Sequence, residues 1–467
     1  MHLAVLKNLE HSGKISNFAS QKKTKVMKIS LIVIMTLTVV STNAQEAWTM
    51  QQCMQYAVEH NHEVKRTELE LDNYRAGRTG AIGRFLPAVD AGIGAQYNFG
   101  RAIDPETNGY TDVSTFYNGY SLSASLPVFD GFSRLHALKA AKASVLMGQS
   151  ALRQKQDQTA LNVLQAFTNV AYYKGLVKMA EEKVEETKLL LRQTRVLEEV
   201  GRKSQADVAQ VESQQAEADY ELIRQQNLLA SALLELKKAM AFPIADTLSL
   251  EVRREQTPSS SASNSESVAF ELGLTQEHPE LLASRYQMQA SKHEWRQARA
   301  SLFPSLSLSA GLNTTYYHTL HSNTGQSFHN QIKNNMGEYI GATLSIPLFN
   351  RLQTITSIRK AKNNYQIARE NYEQKQLELE KLSREAWQDW QGYQKKTIQM
   401  AKKVKADSIA YHLTRRQFEE GLSTAIDLHT TSSQLLNSKA TLLQCQLMAM
   451  VKEQLVRYYR GEAIWTE

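Results

Sequence analysis

Four stretches of the chain alternate strictly between apolar and polar residues. Two lie at 89–99 and 119–126, and two more lie at 305–312 and 340–346. Alternation with period two predicts β-strands with one apolar face, and aromatic residues at strand ends are typical of transmembrane β-barrels. A soluble sheet with one buried face alternates in the same way. The second face is mostly Ser, Gly, Thr and Asn, which favours strands that line a water-filled lumen.

Long stretches between these strands carry apolar residues at helical spacing and contain no proline. Proline is absent between Pro127 and Pro243, and again after Pro347. Segments 200–204 and 420–424 interrupt these stretches with Gly followed by Ser or Thr, which predicts a helix end and a new helix start. Each stretch is thus predicted to form a helical hairpin with a first arm of about 100 Å. A soluble coiled coil would leave the strands unexplained.

The two halves of the chain repeat the same plan. Shorter helices, predicted at 49–82 and 267–302, end before prolines and precede each pair of strands. Matching residues lie at an offset of 217, which becomes 220 after a short insertion and then stays constant. The matches include Pro87/Pro304, Ser125/Ser345, Pro127/Pro347, Lys183/Lys403, Gly201/Gly421 and Asp207/Asp427. We therefore predict a first repeat at 45–250, a linker rich in serine at 251–267 and a second repeat at 268–467.

The N-terminal segment resembles a secretory signal peptide. From Met27 the chain has a lysine, an apolar run from Ile29 to Val40, and small residues up to Ala44. This order is typical of a signal peptide, so we predict removal of 1–44, with Met27 as the expected start. A retained membrane anchor is the alternative. The predicted mature chain keeps 48 basic and 46 acidic residues out of 54 and 47, so its charge does not indicate a nucleic-acid partner.

Composition also limits the chemistry. A mean hydropathy of −0.43 argues against a protein with many membrane-spanning helices. Two cysteines, Cys53 and Cys445, exclude a disulfide scaffold and a four-cysteine zinc site. The sequence contains no nucleophile elbow, phosphate-binding loop or series of metal ligands. We expect no catalytic residues, no metal site, no cofactor and no enzyme activity.

Closure of the sheet requires several chains. Unpaired strand edges are not tolerated in lipid, and the smallest membrane barrels have about eight strands, so the four strands of one chain are too few. Two chains would form a narrow barrel, whereas three would form twelve strands with space for a lumen. The small polar residues favour three chains. The helices of all copies would then continue the barrel as a tube across the periplasm.

With its repeated helix, Leu-Pro and strand-pair pattern, the mature chain resembles the TolC-like outer-membrane efflux proteins, also called outer membrane factors. The motifs are Leu86-Pro87, Leu126-Pro127-Val128-Phe129 and Ile346-Pro347-Leu348-Phe349, with Phe418, Gly421 and Asp427 at the second hairpin turn. The resemblance implies a mainly α protein with four transmembrane β-strands per chain. It also implies a homotrimer in outer-membrane lipid, with a 12-stranded β-barrel continuous with a periplasmic α-helical barrel.

The resemblance further implies a function. Members of the family are passive exit ducts of tripartite efflux or type I secretion systems. A periplasmic adaptor (membrane fusion) protein links them to an inner-membrane pump of RND or ABC type. The alternative is a structural or adhesive envelope protein whose helices form a closed bundle and conduct nothing.

Family members often carry two aspartates, three residues apart, at a periplasmic constriction. The first corresponds to Asp427 and the second to Thr430, so half of this acidic pair is retained. Three Asp427 carboxylates around one axis would favour cations and raise one another's pKa, whereas a helix cap is the simpler role. Asp207 and Phe418 are further gate candidates, although helix capping and hairpin packing would also explain them. The expected adaptor-docking tips are Val200, Gly201, Gly421 and Leu422.

Overall fold

The computed structural model describes residues 47–103, 108–112, 114–251, 277–320 and 326–465. The predicted signal peptide lies outside the described residues, and so does the predicted linker apart from Glu251. The chain divides into two compact units. In the smaller unit, Trp48 N donates to Ser249 O at 2.8 Å and Glu251 N donates to Trp48 O at 3.0 Å. The elements described below belong to the larger unit.

The helices of the first half are α1 (Met50–His60), α2 (His62–Gly83), α3 (Ser133–Glu199) and α4 (Gln205–Met240). The helix predicted at 49–82 is thus two helices. The break occurs because the side chain of Asn61 accepts a hydrogen bond from Glu63 N at 2.8 Å and caps α2. Among the described residues, no helix has the length and apolar character needed to cross a membrane.

The helices of the second half are α5 (Pro279–Ala300), α6 (Phe328–Asn334), α7 (Gln353–Glu419) and α8 (Ala425–Tyr459). The helix predicted at 267–302 is described from Pro279 and is capped by His278. Helices α3 and α7 each contain 67 residues, or about 100 Å of helix, as the repeat predicts. The short helix α6 was not predicted, because seven residues are too few for a periodic pattern.

The strands are β1 (Ala88–Asn98), β2 (Arg101–Ile103), β3 (Tyr110–Asp112), β4 (Thr115–Phe129), β5 (Ser305–Thr319) and β6 (Gly337–Ser345). The four predicted strands form one antiparallel sheet in the order β1-β4-β5-β6. The small β2–β3 ladder was not predicted. Ala91, Leu122 and Leu312 lie opposite one another, so the apolar residues share one face. Ile93 on that face is 77% exposed within a single chain.

The connections from the sheet to the two long helices are alike in both halves. Gly131 and Phe132 precede α3 with positive φ angles of 66° and 69°, and Arg351 and Leu352 precede α7 with 53° and 63°. A Cβ at Gly131 would lie 2.5 Å from the carbonyl oxygen of Ala300, so the first connection requires glycine. In each half, this turn stands immediately before the first arm of a hairpin. The two arms of each hairpin then pack along each other, α3 with α4 and α7 with α8.

Candidate functional site

The candidate site consists of the two hairpin turns and the helix ends beside them, which we call the tips. Helix α3 ends at Glu199 and α4 begins at Gln205, whereas α7 ends at Glu419 and α8 begins at Ala425. The turns therefore lie where glycine and the hydroxyl residues predicted them. Gly201 and Gly421 have φ angles of 72° and 80°, a left-handed conformation that favours glycine.

The predicted docking residues are all in these turns. Arg202 N donates to Leu197 O at 2.8 Å, and Leu422 N donates to Gln417 O at 2.7 Å, which closes both helix ends in the same way. Val200 is 64% exposed and Leu422 is 76% exposed. Each turn thus has an exposed apolar side chain, Val200 in the first and Leu422 in the second.

Asp427 lies in the first turn of α8 and forms a capping box with Thr424. Its carboxylate accepts hydrogen bonds from the Thr424 hydroxyl at 2.6 Å and from Thr424 N at 3.1 Å. In return, Asp427 N donates to the Thr424 hydroxyl at 3.1 Å. These bonds hold the pKa of the Asp427 carboxyl below its usual range, and the bond from the Thr424 hydroxyl has the largest effect. Within one chain, then, Asp427 is an ionised and exposed cap, without the raised pKa expected of a symmetric ring.

Asp207 occupies the same position in the first hairpin. Its carboxylate accepts hydrogen bonds from the Ser204 hydroxyl at 2.8 Å and from Ser204 N at 3.0 Å. The pKa of Asp207 is also lowered, here mainly by the backbone bond. Thr430 lies almost one turn beyond Asp427, is exposed, and donates its hydroxyl to Ile426 O at 2.9 Å. Of the two positions at which the family often has aspartates, only 427 is therefore acidic in this chain.

Phe418 lies in the core of the tips and is only 1% exposed. It packs in one apolar cluster with residues of both hairpins, namely Leu190, Val211, Tyr411, Ala425, Leu428 and Leu435. The ammonium group of Lys203 lies 3.9 Å from the centre of the Phe418 ring. Of the two roles predicted for Phe418, the single chain shows hairpin packing.

Polar contacts also join the two hairpins, and the sequence did not predict them. Lys183 Nζ donates to Ser432 Oγ at 2.5 Å, and Gln214 Nε2 donates to Ala425 O at 3.2 Å. His429 Nε2 lies 3.9 Å from Glu217 Oε2. The sequence did carry a signal, because Lys183 and Gln214 recur as Lys403 and Gln434 at the offset of 220. Partners on different helices could not be assigned without the packing of the helices.

Metal chemistry receives no support from the part of the chain that the structure describes. No group of three or more His, Cys, Asp or Glu side chains there is arranged to hold a metal ion. Cys53 and Cys445 are both buried free thiols, and burial raises the pKa of Cys53 to about 12. The Cys53 thiol is thus not poised as a nucleophile.

Comparison with known families decides the identity. The family described as outer membrane efflux protein matches residues 53–241 and 272–457. The chain belongs to this family. The outer membrane efflux protein BepC of Brucella suis biovar 1 is 23% identical over 357 residues, which are 76% of this chain and 73% of BepC. The alkaline protease secretion protein AprF of Pseudomonas aeruginosa is 23% identical over 403 residues, which are 84% of this chain and 80% of AprF.

Solved structures show the same fold. The outer membrane protein VceC of Vibrio cholerae superposes with a TM-score of 0.75 at 14% identity, over 89% of this chain and 96% of VceC. The predicted family, the mainly α fold with a four-stranded sheet, and the outer-membrane location are confirmed. This outer membrane efflux protein is an exit duct, in a family of channels rather than enzymes.

Proposed function

We propose that three copies of the chain form the duct, and that a periplasmic adaptor couples it to an inner-membrane pump of RND or ABC type. The duct itself performs no catalytic step, because the pump supplies the energy. BepC is named for efflux and AprF for secretion of a protease, so the family serves more than one kind of cargo. The pump therefore selects the substrate of this duct.

The edges of the sheet support assembly of several chains. Strands β1 and β6 are the outer strands of the four-stranded sheet, so within the described part of one chain each has an edge without a neighbouring strand. In lipid such edges must pair, and pairing β1 of one copy with β6 of the next closes a barrel of twelve strands in a trimer. The exposed apolar face, which includes Ile93 and Ile340, would then contact outer-membrane lipid.

We propose that Asp427 forms the acidic ring of the periplasmic gate. Its carboxylate is exposed, ionised and held in the first turn of α8, which supports a role in attracting cations. Thr430 contributes a polar surface beside it, Phe418 holds the hairpins together behind it, and Asp207 is the equivalent carboxylate on the other hairpin. In a trimer, repulsion between three Asp427 carboxylates would oppose the pKa-lowering hydrogen bonds of each chain.

Single-channel conductance in planar bilayers tests both proposals. We expect small, cation-selective currents from the wild type and a loss of cation selectivity in Asp427→Asn, which keeps the shape of the cap. Asp207→Asn is the matched control, because Asp207 has the same capping box on the other hairpin. If both variants keep wild-type selectivity, the duct stands and Asp427 is a cap only. No current, even after the tips are weakened by Phe418→Ala, would favour the structural or adhesive alternative.

We also propose that the adaptor docks at Val200, Gly201, Gly421 and Leu422. Both large apolar side chains at these turns are exposed, which supports a docking role. A photo-crosslinker at position 422 should capture a periplasmic adaptor in the host cell, to be identified by mass spectrometry. The matched control is position 413 on α7, where leucine is also exposed (56%). Equal capture at both positions would contradict docking at the tips.

A further inference from the structure

The packing of the two hairpins within one chain indicates how neighbouring chains meet. Within the chain, α8 of the second hairpin packs on α3 and α4 of the first. Lys183 on α3 donates to Ser432 on α8, and Gln214 on α4 donates to Ala425 O on α8. Because the hairpins are repeats of one unit, each of these positions has an equivalent on the opposite side of the hairpin pair.

The offset of 220 identifies those equivalents. Lys183 corresponds to Lys403 on α7, and Gln214 corresponds to Gln434 on α8, with the same residue type in both cases. Ser432 corresponds to Glu212 on α4. The Ser432 hydroxyl, which accepts from Lys183 within the chain, thus has a carboxylate as its equivalent, and a carboxylate is a better partner for a lysine.

Exposure separates the two sets. The side chain of Lys183 is 15% exposed, whereas that of Lys403 is 46% exposed. Gln214 is buried, whereas Gln434 is exposed. Ser432 is buried, and the side chain of its equivalent Glu212 is 49% exposed. The same positions are thus covered at the junction within the chain, whereas their equivalents on α4, α7 and α8 are exposed.

We propose that a second copy of this chain covers these surfaces in the same register, so that Lys403 of one copy pairs with Glu212 of the next. Gln434 Nε2 already donates to Asp407 Oδ1 at 3.1 Å, and its second amide proton would be donated to the carbonyl oxygen of Gln205 in the next copy, the equivalent of Ala425. Both residues of the ion pair already have a partner in their own chain, since Lys403 Nζ lies 2.5 Å from Asp407 Oδ2 and Arg195 Nη2 lies 2.6 Å from Glu212 Oε1. The three ammonium protons of Lys403 and the second carboxylate oxygen of Glu212 allow each residue to keep that partner. Such a head-to-tail contact forms a ring when its rotation closes, as three-fold symmetry requires in a trimer. This inference rests on the proposed trimer and adds which residues meet in it.

Thiol cross-linking of the purified protein in detergent tests the register. Lys403→Cys combined with Glu212→Cys, treated with a short bis-maleimide, should link chains into dimers and trimers on a denaturing gel. Lys183→Cys combined with Ser432→Cys is the matched control and should link only within a chain. Lys403→Cys combined with Tyr220→Cys is the off-register control, because Tyr220 is exposed and about 12 Å further along α4. Cys53 and Cys445 are buried, so the unmodified chain should give no linked product.

Charge exchange tests the ion pair. Lys403→Glu should weaken association about two- to fivefold per junction, and adding Glu212→Lys should restore it. Native mass spectrometry of the same samples separates the outcomes. An intact trimer without a link between positions 403 and 212 would overturn the register and leave the proposed function standing. A monomeric wild-type protein would overturn the trimer as well.

Discussion

The two hairpin tips have the same backbone and different interiors. Both turns place a glycine in the left-handed region and both begin the next helix with a capping box. The second tip adds Phe418, which is 1% exposed, whereas the equivalent position in the first tip is the exposed Glu198. The backbone turn thus depends on local sequence alone. The apolar cluster between the hairpins includes the Phe418 ring, which only the second repeat supplies.

Phe418→Ala should have the largest effect on this comparison. Removing a buried aromatic ring from the cluster should destabilise the tip by about 3 kcal/mol, because apolar burial is lost and a cavity is left behind. Hydrogen exchange of the amides around the second turn measures this local stability. Glu198→Ala is the matched control at the equivalent exposed position and should change stability by less than about 0.5 kcal/mol. Equal effects would show that the two interiors are alike.

Gly201→Ala and Gly421→Ala should each cost about 1–2 kcal/mol, because an alanine Cβ is strained at their positive φ angles. A Cβ added at either glycine would have no atom within 4 Å, so backbone strain is the whole reason. Thermal unfolding of the two variants should give similar losses. Gly392→Ala, in the middle of α7 and also without a Cβ contact, should instead stabilise by about 1 kcal/mol. A loss at one turn only would contradict the equivalence of the two backbones.

Ser204→Ala and Thr424→Ala should each destabilise the following helix by about 1 kcal/mol, because each removes the hydroxyl of a capping box. Urea unfolding followed by circular dichroism gives the free energy of each variant. Ser423→Ala is the matched control, since its hydroxyl contacts Asp427 only at 3.4 Å. A control as destabilised as Thr424→Ala would contradict the capping assignment.

Protonation of Asp207 and Asp427 at low pH should have the smallest effect on the stability of the tips. Asp207 and Asp427 both have folded-state pKa values below their ordinary values. Their stabilising contributions are therefore present above the unfolded pKa, near pH 4, and are lost as the pH falls through the folded pKa. Hydrogen exchange at the tips between about pH 5 and pH 3 should show this loss. In the double variant Asp207→Asn with Asp427→Asn, tip stability should depend less on pH. If the tip stability of the wild type depended on pH as weakly as that of the double variant, this prediction would be contradicted.

The alternating strands, the two hairpins and their turns followed from the sequence, because each depends on neighbouring residues. Pleated alternation, helical spacing and the glycine turns are properties of a few consecutive positions. The prediction of one helix at 49–82 was wrong, since Asn61 divides it into two helices. The predicted gate residues were located, but whether they act as a gate remains a prediction, because their proposed role requires three chains.

The sequence by itself therefore determined the four long strands, the two helical hairpins, the repeat and the family of this protein. Only the tertiary structure decided that Phe418 lies in a core between hairpins, and that Lys183 and Gln214 bond to the second hairpin while Lys403 and Gln434 do not bond to the first. Equivalent residues in a repeat carry the same local information. Their surroundings differ because each helix has different neighbours, and that difference arises only when distant parts of the chain pack together.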